Sequence, residues 1–325
     1  MLLRVPDKNV KYALELIEVA ESDFKAAKLL MNNKLYPHAL FHVEQGFEKL
    51  LKGILVAMGL TEPKDLKREI GHLVVRRGLF HIMDRLARAY VEFPKEISNL
   101  SGITTSNDVA KAFIDIINRK IKETLYSQSF EQEIASALWS GYRFKLELTI
   151  LEEEIERCAL SKADKRLINE LVDKACRVLY AMDMVDEVPI CVAAKIIRLV
   201  REAGNELNIS AEVLEKFIER LLDQSARYYY LSSTYVVLAP IMFILEGFVS
   251  KFRYPEPKGW TPVRQIKEDI TLTYLAKQIL NHMEEMLALE ILRAFIKGEI
   301  ETHEKAVRIY NTIRDWIIVR AELDY

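Results

Sequence analysis

Residues 20–60 read AESDFKAAKLLMNNKLYPHALFHVEQGFEKLLKGILVAMGL, and the pattern begins a few residues earlier. Ala13, Ile17, Ala20, Phe24, Ala27 and Met31 recur at alternating steps of four and three, one apolar face of a helix about five turns long. Asn32-Asn33 ends that run. A second stripe follows, formed by Tyr36, Leu40, Val43, Phe47, Leu50, Ile54 and Ala57, and Gly59 closes it. The break between the stripes is short, so the two segments should fold back as an antiparallel helical hairpin.

Helical spacing continues along most of the chain. Ala306, Ile309, Ile313, Trp316 and Arg320 form one more stripe near the C-terminus. Tyr228 to Leu245, YYYLSSTYVVLAPIMFIL, is uncharged and long enough to approach a membrane span. Ser232, Ser233, Thr234 and Pro240 within it, and Arg227 and Glu246 at its ends, favour a buried core helix with no membrane partner. Breakers fall at Thr61–Asp65, between Phe93 and Asp108, at Pro189 and in the Pro-rich run after Tyr254, while Ser161 and Ser210 stand where helix N-caps belong. No sustained alternation marks a sheet and no fixed-period repeat is present. The expected fold class is all-α.

Composition narrows the possible functions. The chain has 325 residues, half of them hydrophobic, enough for a substantial core and against intrinsic disorder. Forty-six Lys and Arg against 48 Asp and Glu give a net charge of −2, so any nucleic-acid contact must use a local basic patch. Cys158, Cys176 and Cys191 are odd in number and widely spaced, which gives no disulfide framework or zinc knuckle. A reducing cytoplasm is the expected compartment, and the start of the chain lacks the pattern of a signal peptide. Abundant Glu, Lys, Arg and Ile with sparse Asn and Gln fit a thermophile.

The hairpin resembles the opening of HEPN domains. That family pairs an alanine-led first helix, here Ala20, Asp23, Ala26, Ala27 and Leu30, with a tyrosine before the second helix, here Tyr36 with Ala39. A Gln…Glu-Lys…Lys run follows as Gln45, Glu48, Lys49, Leu51 and Lys52, and then Gly71-His72-Leu73. Further on, Arg253-Tyr254-Pro255 resembles the family's Arg-Tyr-Pro loop, with a helix of suitable character expected from Thr273 to Leu292. The resemblance covers about a third of the chain, and a domain's worth of residues separates its two halves. Two accounts follow: one HEPN-like antiparallel bundle interrupted by a long helical insertion, or an N-terminal domain with a chance match downstream. The first is favoured, with residues 1–92 and 227–325 as the halves of the bundle and 93–226 as the insertion.

The resemblance implies a nucleotide- or RNA-linked binding module, acting as a homodimer and as partner of a small nucleotidyltransferase in a toxin–antitoxin or stress pair. Gln45, Glu48, Lys49 and Lys52, with Arg253, are then the nucleotide-binding surface. From spacing alone, Glu48 and Lys52 can pair along one helix face, and with Gln45 they lie opposite the Val43, Phe47, Leu50 stripe, as an ordinary solvated face would. RNA-cutting HEPN proteins carry an Arg and a His separated by four to six residues. Arg76 and His81 meet that spacing, with Arg77 in the polar position between them and Gly78 weakening the helix that must carry them. The His would act as base on a ribose 2′-hydroxyl and the Arg would stabilise phosphate charge, with no metal or other cofactor. That metal-independent ribonuclease is the competing function, and a scaffold that binds only protein is the third.

Other chemistry is weaker. His38 and His42 share a helix face at a metal-binding spacing, but no Glu-x-x-His accompanies them, so no metal site is assigned. No phosphate loop, dinucleotide fingerprint or nucleophile elbow occurs. Glu152 to Glu156 is expected to be helix surface, and Tyr228-Tyr229-Tyr230 core or interface. Lys64, Lys67, Arg68, Arg76, Arg77, Arg85 and Arg88, diluted by Asp65, Glu69 and Asp84, form the most basic local segment and the expected phosphate-facing stretch.

Overall fold

The structure is a computed structural model that describes residues 5–79, 81–82, 107–125, 190–249 and 289–323, with scattered positions at 149–171, 277 and 280. Among the described residues every regular element is helical. The hairpin forms as its stripes require, from α1 (Asp7–Asn32) and α2 (Tyr36–Ala57). Ala13, Ile17, Ala20 and Ala27 face Leu40, Val43, Phe47, Leu50 and Ile54, and all nine are fully buried. Each large aliphatic or aromatic side chain on that list contributes about 1.5–3 kcal/mol by leaving water.

The short α3 (Leu66–Glu69) and α4 (residues 74–79, helical again at 81–82) follow the hairpin. The chain continues through α5 (Asn107–Leu125), α6 (residues 190–206) and the 39-residue α7 (Ala211–Val249). A nine-residue α8 (Leu289–Lys297) and the C-terminal α9 (Glu304–Glu322) complete the described chain. Ser210 directly precedes α7.

Helix α7 organises the molecule because its two halves serve different apolar clusters. From Tyr228 to Leu245 it shares one buried cluster with the apolar faces of α1, α2, α4 and α8, so the uncharged run of the sequence forms a wall of the first cluster. Its earlier half, through Phe217, Ile218, Leu221, Leu222 and Ala226, packs with α5, α6 and the end of α9. By length and composition α7 could cross a membrane, yet 67% of its most apolar window is buried inside the protein.

Polar ties join distant parts of the chain. Arg227 of α7 donates to the Phe295 and Ile296 carbonyls, at 3.0 and 2.9 Å, satisfying the unpaired end of α8. Tyr230 stacks on Phe295 at 3.7 Å between centroids. Arg293 of α8 reaches Glu21 of α1 at 2.5 Å, and that bond first, with Lys25, holds the Glu21 carboxyl down at about 2. Arg198 of α6 donates to the Ala321 carbonyl near the end of α9.

One stripe differs from its expectation. On α9 the buried positions are Ala306, Ile313, Ile317 and Ala321, whereas Trp316 is 51% exposed and sits edge-on to Tyr229. The alternating step from Ile313 continues with four residues rather than three, so the buried face passes one position beyond Trp316 and Arg320. Arg253, the Arg-Tyr-Pro motif, Ser161, Cys158, Cys176, Arg85 and Arg88 lie outside the described residues, as do all of residues 83–106.

Candidate functional site

The charged residues of α2 are built into two adjoining networks. In the first, Asp23 of α1 accepts from Lys49 Nζ at 2.6 Å and lies 3.0 Å from His42 Nδ1. Gln45 adjoins it, donating to Glu44 at 2.9 Å while its carbonyls approach the Lys49 ammonium. This network spans the hairpin seam and leaves His42 committed to a carboxylate, with His38 exposed on the turn side.

The second network is deeper. Glu48 is only 5% exposed, because α2 is covered by α1 on one side and by α7 on the other. The face that spacing assigned to solvent is therefore partly interior, and the Glu48–Lys52 pair that spacing anticipated is present within it. Glu48 accepts from Lys52 Nζ at 2.5 Å with one oxygen, and its other oxygen is 3.1 Å from His72 Nδ1. Burial alone would raise the Glu48 pKa, but the bonds to Lys52 and His72 outweigh it and hold the carboxyl below its usual range.

His72 owes its position to the loop between α3 and α4. Gly71 adopts φ +60° and its N–H bonds the Leu66 carbonyl at 3.0 Å, closing the end of α3. Arg77 of α4 then donates to the Arg68 and Glu69 carbonyls, both at 3.3 Å. These bonds fix the loop from both sides and leave the His72 side chain 76% exposed, with its Nδ1 on a buried carboxylate.

Helix α4 docks on α7 through close polar contacts. Tyr235, completely buried, donates its hydroxyl to the Val74 carbonyl at 2.5 Å. A Cβ on Gly78 would fall 1.9 Å from that hydroxyl oxygen, so the glycine that weakens the helix by propensity is what lets it dock. Arg76 lies over the Phe243 ring, its guanidinium carbon 6.0 Å from the centroid. Beyond it stands Glu246, whose Oε1 is shielded from water without a hydrogen-bond partner. Burial first, then the nearby Glu44 and Glu48 charges, push its carboxyl up to about 8 against the opposing pull of Arg76 and the Val75 amide.

Glu246 is therefore neutral in the folded chain at pH values where it is ionised in the unfolded one. Between pH 4.5 and about 8 the folded state holds the extra proton, so its stability falls as pH rises through that window. Glu246→Gln, neutral throughout, is expected to flatten the decline and to stabilise the protein at pH 9 by on the order of 2 kcal/mol. Urea midpoints at pH 5 and pH 9 measure it. An unchanged pH slope in the variant would remove Glu246 from the account.

The structure thus distributes the residues singled out in the sequence. Gln45 and Lys49 belong to the Asp23 network and Glu48 and Lys52 to the His72 network, so both lysines are occupied by carboxylates. Arg76 and His81 share α4, but a step of five residues separates side chains by about 140° around a helix axis. Arg76 faces α7, and His81 is half-buried. Among the described residues no group of three His, Cys, Asp or Glu is placed to hold a metal ion. Two features escaped sequence reasoning. Glu246 drew notice only as the end of an uncharged run, and the Glu48–His72 contact joins positions 24 apart, where helical periodicity carries no information.

Comparison with known proteins agrees with this hairpin. Residues 13–105 match the HEPN domain family, and this stretch of the chain is a HEPN domain. A protein of Methanocaldococcus jannaschii named "Putative toxin MJ1304" is 38% identical over 52 residues, which is 16% of this chain and 34% of the relative. The chain therefore spans about a third of the length of that relative. No solved structure matches the chain.

Proposed function

We propose that the protein is a HEPN-based binding module for RNA or nucleotide in the cytoplasm, paired with a small nucleotidyltransferase in a toxin–antitoxin or stress system and acting as a homodimer. The observation that carries this reading is the HEPN domain itself, with the resemblance of part of the chain to a relative named as a toxin. The local charge agrees with it. Lys64, Lys67, Arg68 and Arg77 are all exposed within one short segment beside the hairpin. Against them stand Glu62, Asp65 and Glu69, which are bonded to Lys8, Arg68 and Thr61. Cations grouped this way attract a phosphate backbone in a salt-dependent manner even when the net charge is near zero.

The test is a thermal melt of the full chain with ATP and, separately, with a short single-stranded RNA. A ligand that binds the folded state raises the Tm as its concentration passes its Kd. The expected result is a rise with at least one of the two, and for RNA one that shrinks with added salt. No rise with either probe would contradict the proposal and leave a scaffold that binds only protein.

A further inference from the structure

We propose that the outer face of α9 is a docking surface for a second copy of this chain, lying antiparallel to the first across a twofold axis beside Trp316; this rests on the homodimer of the reading above. It places that contact on the C-terminal helix, outside residues 13–105. Helix α9 carries two apolar stripes, and the core uses one of them. Ala306, Ile313, Ile317 and Ala321 are buried. Thr312, Trp316, Val319 and Leu323 form the other, about 130° around the axis at about 100° per residue. Trp316, Val319 and Leu323 are 51%, 55% and 47% exposed. Single apolar side chains on a surface are ordinary, but three in one line at heptad spacing form a helix-packing seam.

The seam is held in shape before anything docks on it. Tyr229 of α7 meets Trp316 edge-on, at 6.3 Å between ring centroids. Arg198 of α6 donates to the Ala321 and Leu323 carbonyls and fixes the last turn. Thr312 donates its hydroxyl to the Arg308 carbonyl at 3.0 Å, so the polar group in the line can be covered without losing its bond. A rigid aromatic anchor costs little further ordering when a partner covers it.

Charge selects the occupant. Toward the start of α9 the same line continues as Arg308 and Lys305, both exposed, while exposed Glu322 stands beside Leu323 at the other end. A face that is basic at one end, and apolar and acidic at the other, complements itself when reversed. With the axis between Asp315 and Trp316, Val319 of one copy meets Thr312 of the other. Leu323 then covers the aliphatic stem of Arg308, and Glu322 approaches its guanidinium. Every contact occurs twice, as a twofold interface requires. Arg308 already pairs with Glu304 on its own helix, but both are exposed, and a surface pair of that kind is weak. A parallel partner would set Lys305 and Arg308 against themselves. A lipid surface fits less well, since Asp315 and Glu322 flank the stripe where lysines and arginines favour lipid. Contact along this helix alone is smaller than the roughly 800 Å² per partner of a standard interface, so a dimer in the micromolar range is expected.

The experiment is sedimentation velocity of the full chain from about 1 to about 200 μM, without nucleic acid, with every variant checked by melting. The wild type should pass from monomer to dimer within that range. Val319→Glu, at an exposed position, should keep its Tm and weaken the dimer by about tenfold or more, because it places a charge in the seam without a partner. Arg308→Glu should weaken it as well, and Arg308→Glu with Glu322→Lys should restore it, a rescue that only the antiparallel register provides. A dimer that Val319→Glu and Arg308→Glu leave unchanged would overturn this inference alone and keep the homodimer on another face. A chain that stays monomeric throughout would overturn it together with the homodimer, leaving the face to a different protein.

Discussion

Replacing Gly78 by alanine is expected to destabilise the protein by about 3 kcal/mol, although alanine is the better helix former by roughly 1 kcal/mol. The new methyl carbon would lie 1.9 Å from the Tyr235 hydroxyl oxygen, 2.7 Å from its Cζ and 3.0 Å from a Leu55 methyl. Tyr235 cannot swing aside, since it is completely buried and bonded to the Val74 carbonyl. Either α4 lifts from α7 or the tyrosine loses its bond, and both leave buried groups badly packed. Urea titration gives the value, and Tyr235→Phe identifies the cause. With the hydroxyl removed, Gly78→Ala should cost clearly less than in the wild-type background, a coupling of about 1 kcal/mol or more. Unchanged or increased stability in Gly78→Ala would show that α4 does not dock as described.

Lys52→Ala should also cost about 3 kcal/mol, for an electrostatic reason. Glu48 is nearly excluded from solvent and shares its surroundings with Glu44 and Glu246, so Lys52 is its principal counter-charge. Removing one partner of a buried pair leaves the other charge uncompensated. The double variant Glu48→Gln with Lys52→Met, neutral and of similar volume, should recover most of that loss. If Lys52→Ala melts like the wild type, the pair is a surface pair and worth little. The same physics governs any functional use of Lys52. A loss of ligand binding in Lys52→Ala is informative only beside a variant whose fold is intact.

The sequence showed most of the fold and less of the site. Both hairpin stripes are the buried faces of α1 and α2, because a helix packed on one side announces itself by spacing. Tyr228 to Leu245 was legible as core for the converse reason: an uncharged run interrupted by serines and a proline suits protein neighbours better than lipid. Where a helix is covered on two sides, periodicity under-reports burial. Glu48 looked like solvated surface because charge suggests exposure, and only the approach of α7 and His72 shows otherwise. Gly78 shows the same limit in reverse. Propensity marks it as a flaw in α4, and tertiary contact with a tyrosine 157 positions later makes it necessary. Arg76 and His81 satisfied a spacing rule, but spacing does not state which side of α4 meets α7.

The central claim is that the exposed basic segment beside the HEPN hairpin contacts RNA. Fluorescence anisotropy of a labelled single-stranded RNA, titrated with the full chain and with the charge-reversed Lys64→Glu/Lys67→Glu variant, tests it most directly. Both lysines are exposed, so the variant should keep its fold. The account predicts binding by the wild type that weakens with salt, and a loss of about tenfold or more in affinity for the variant. No binding, or binding that the reversal leaves unchanged, would contradict it.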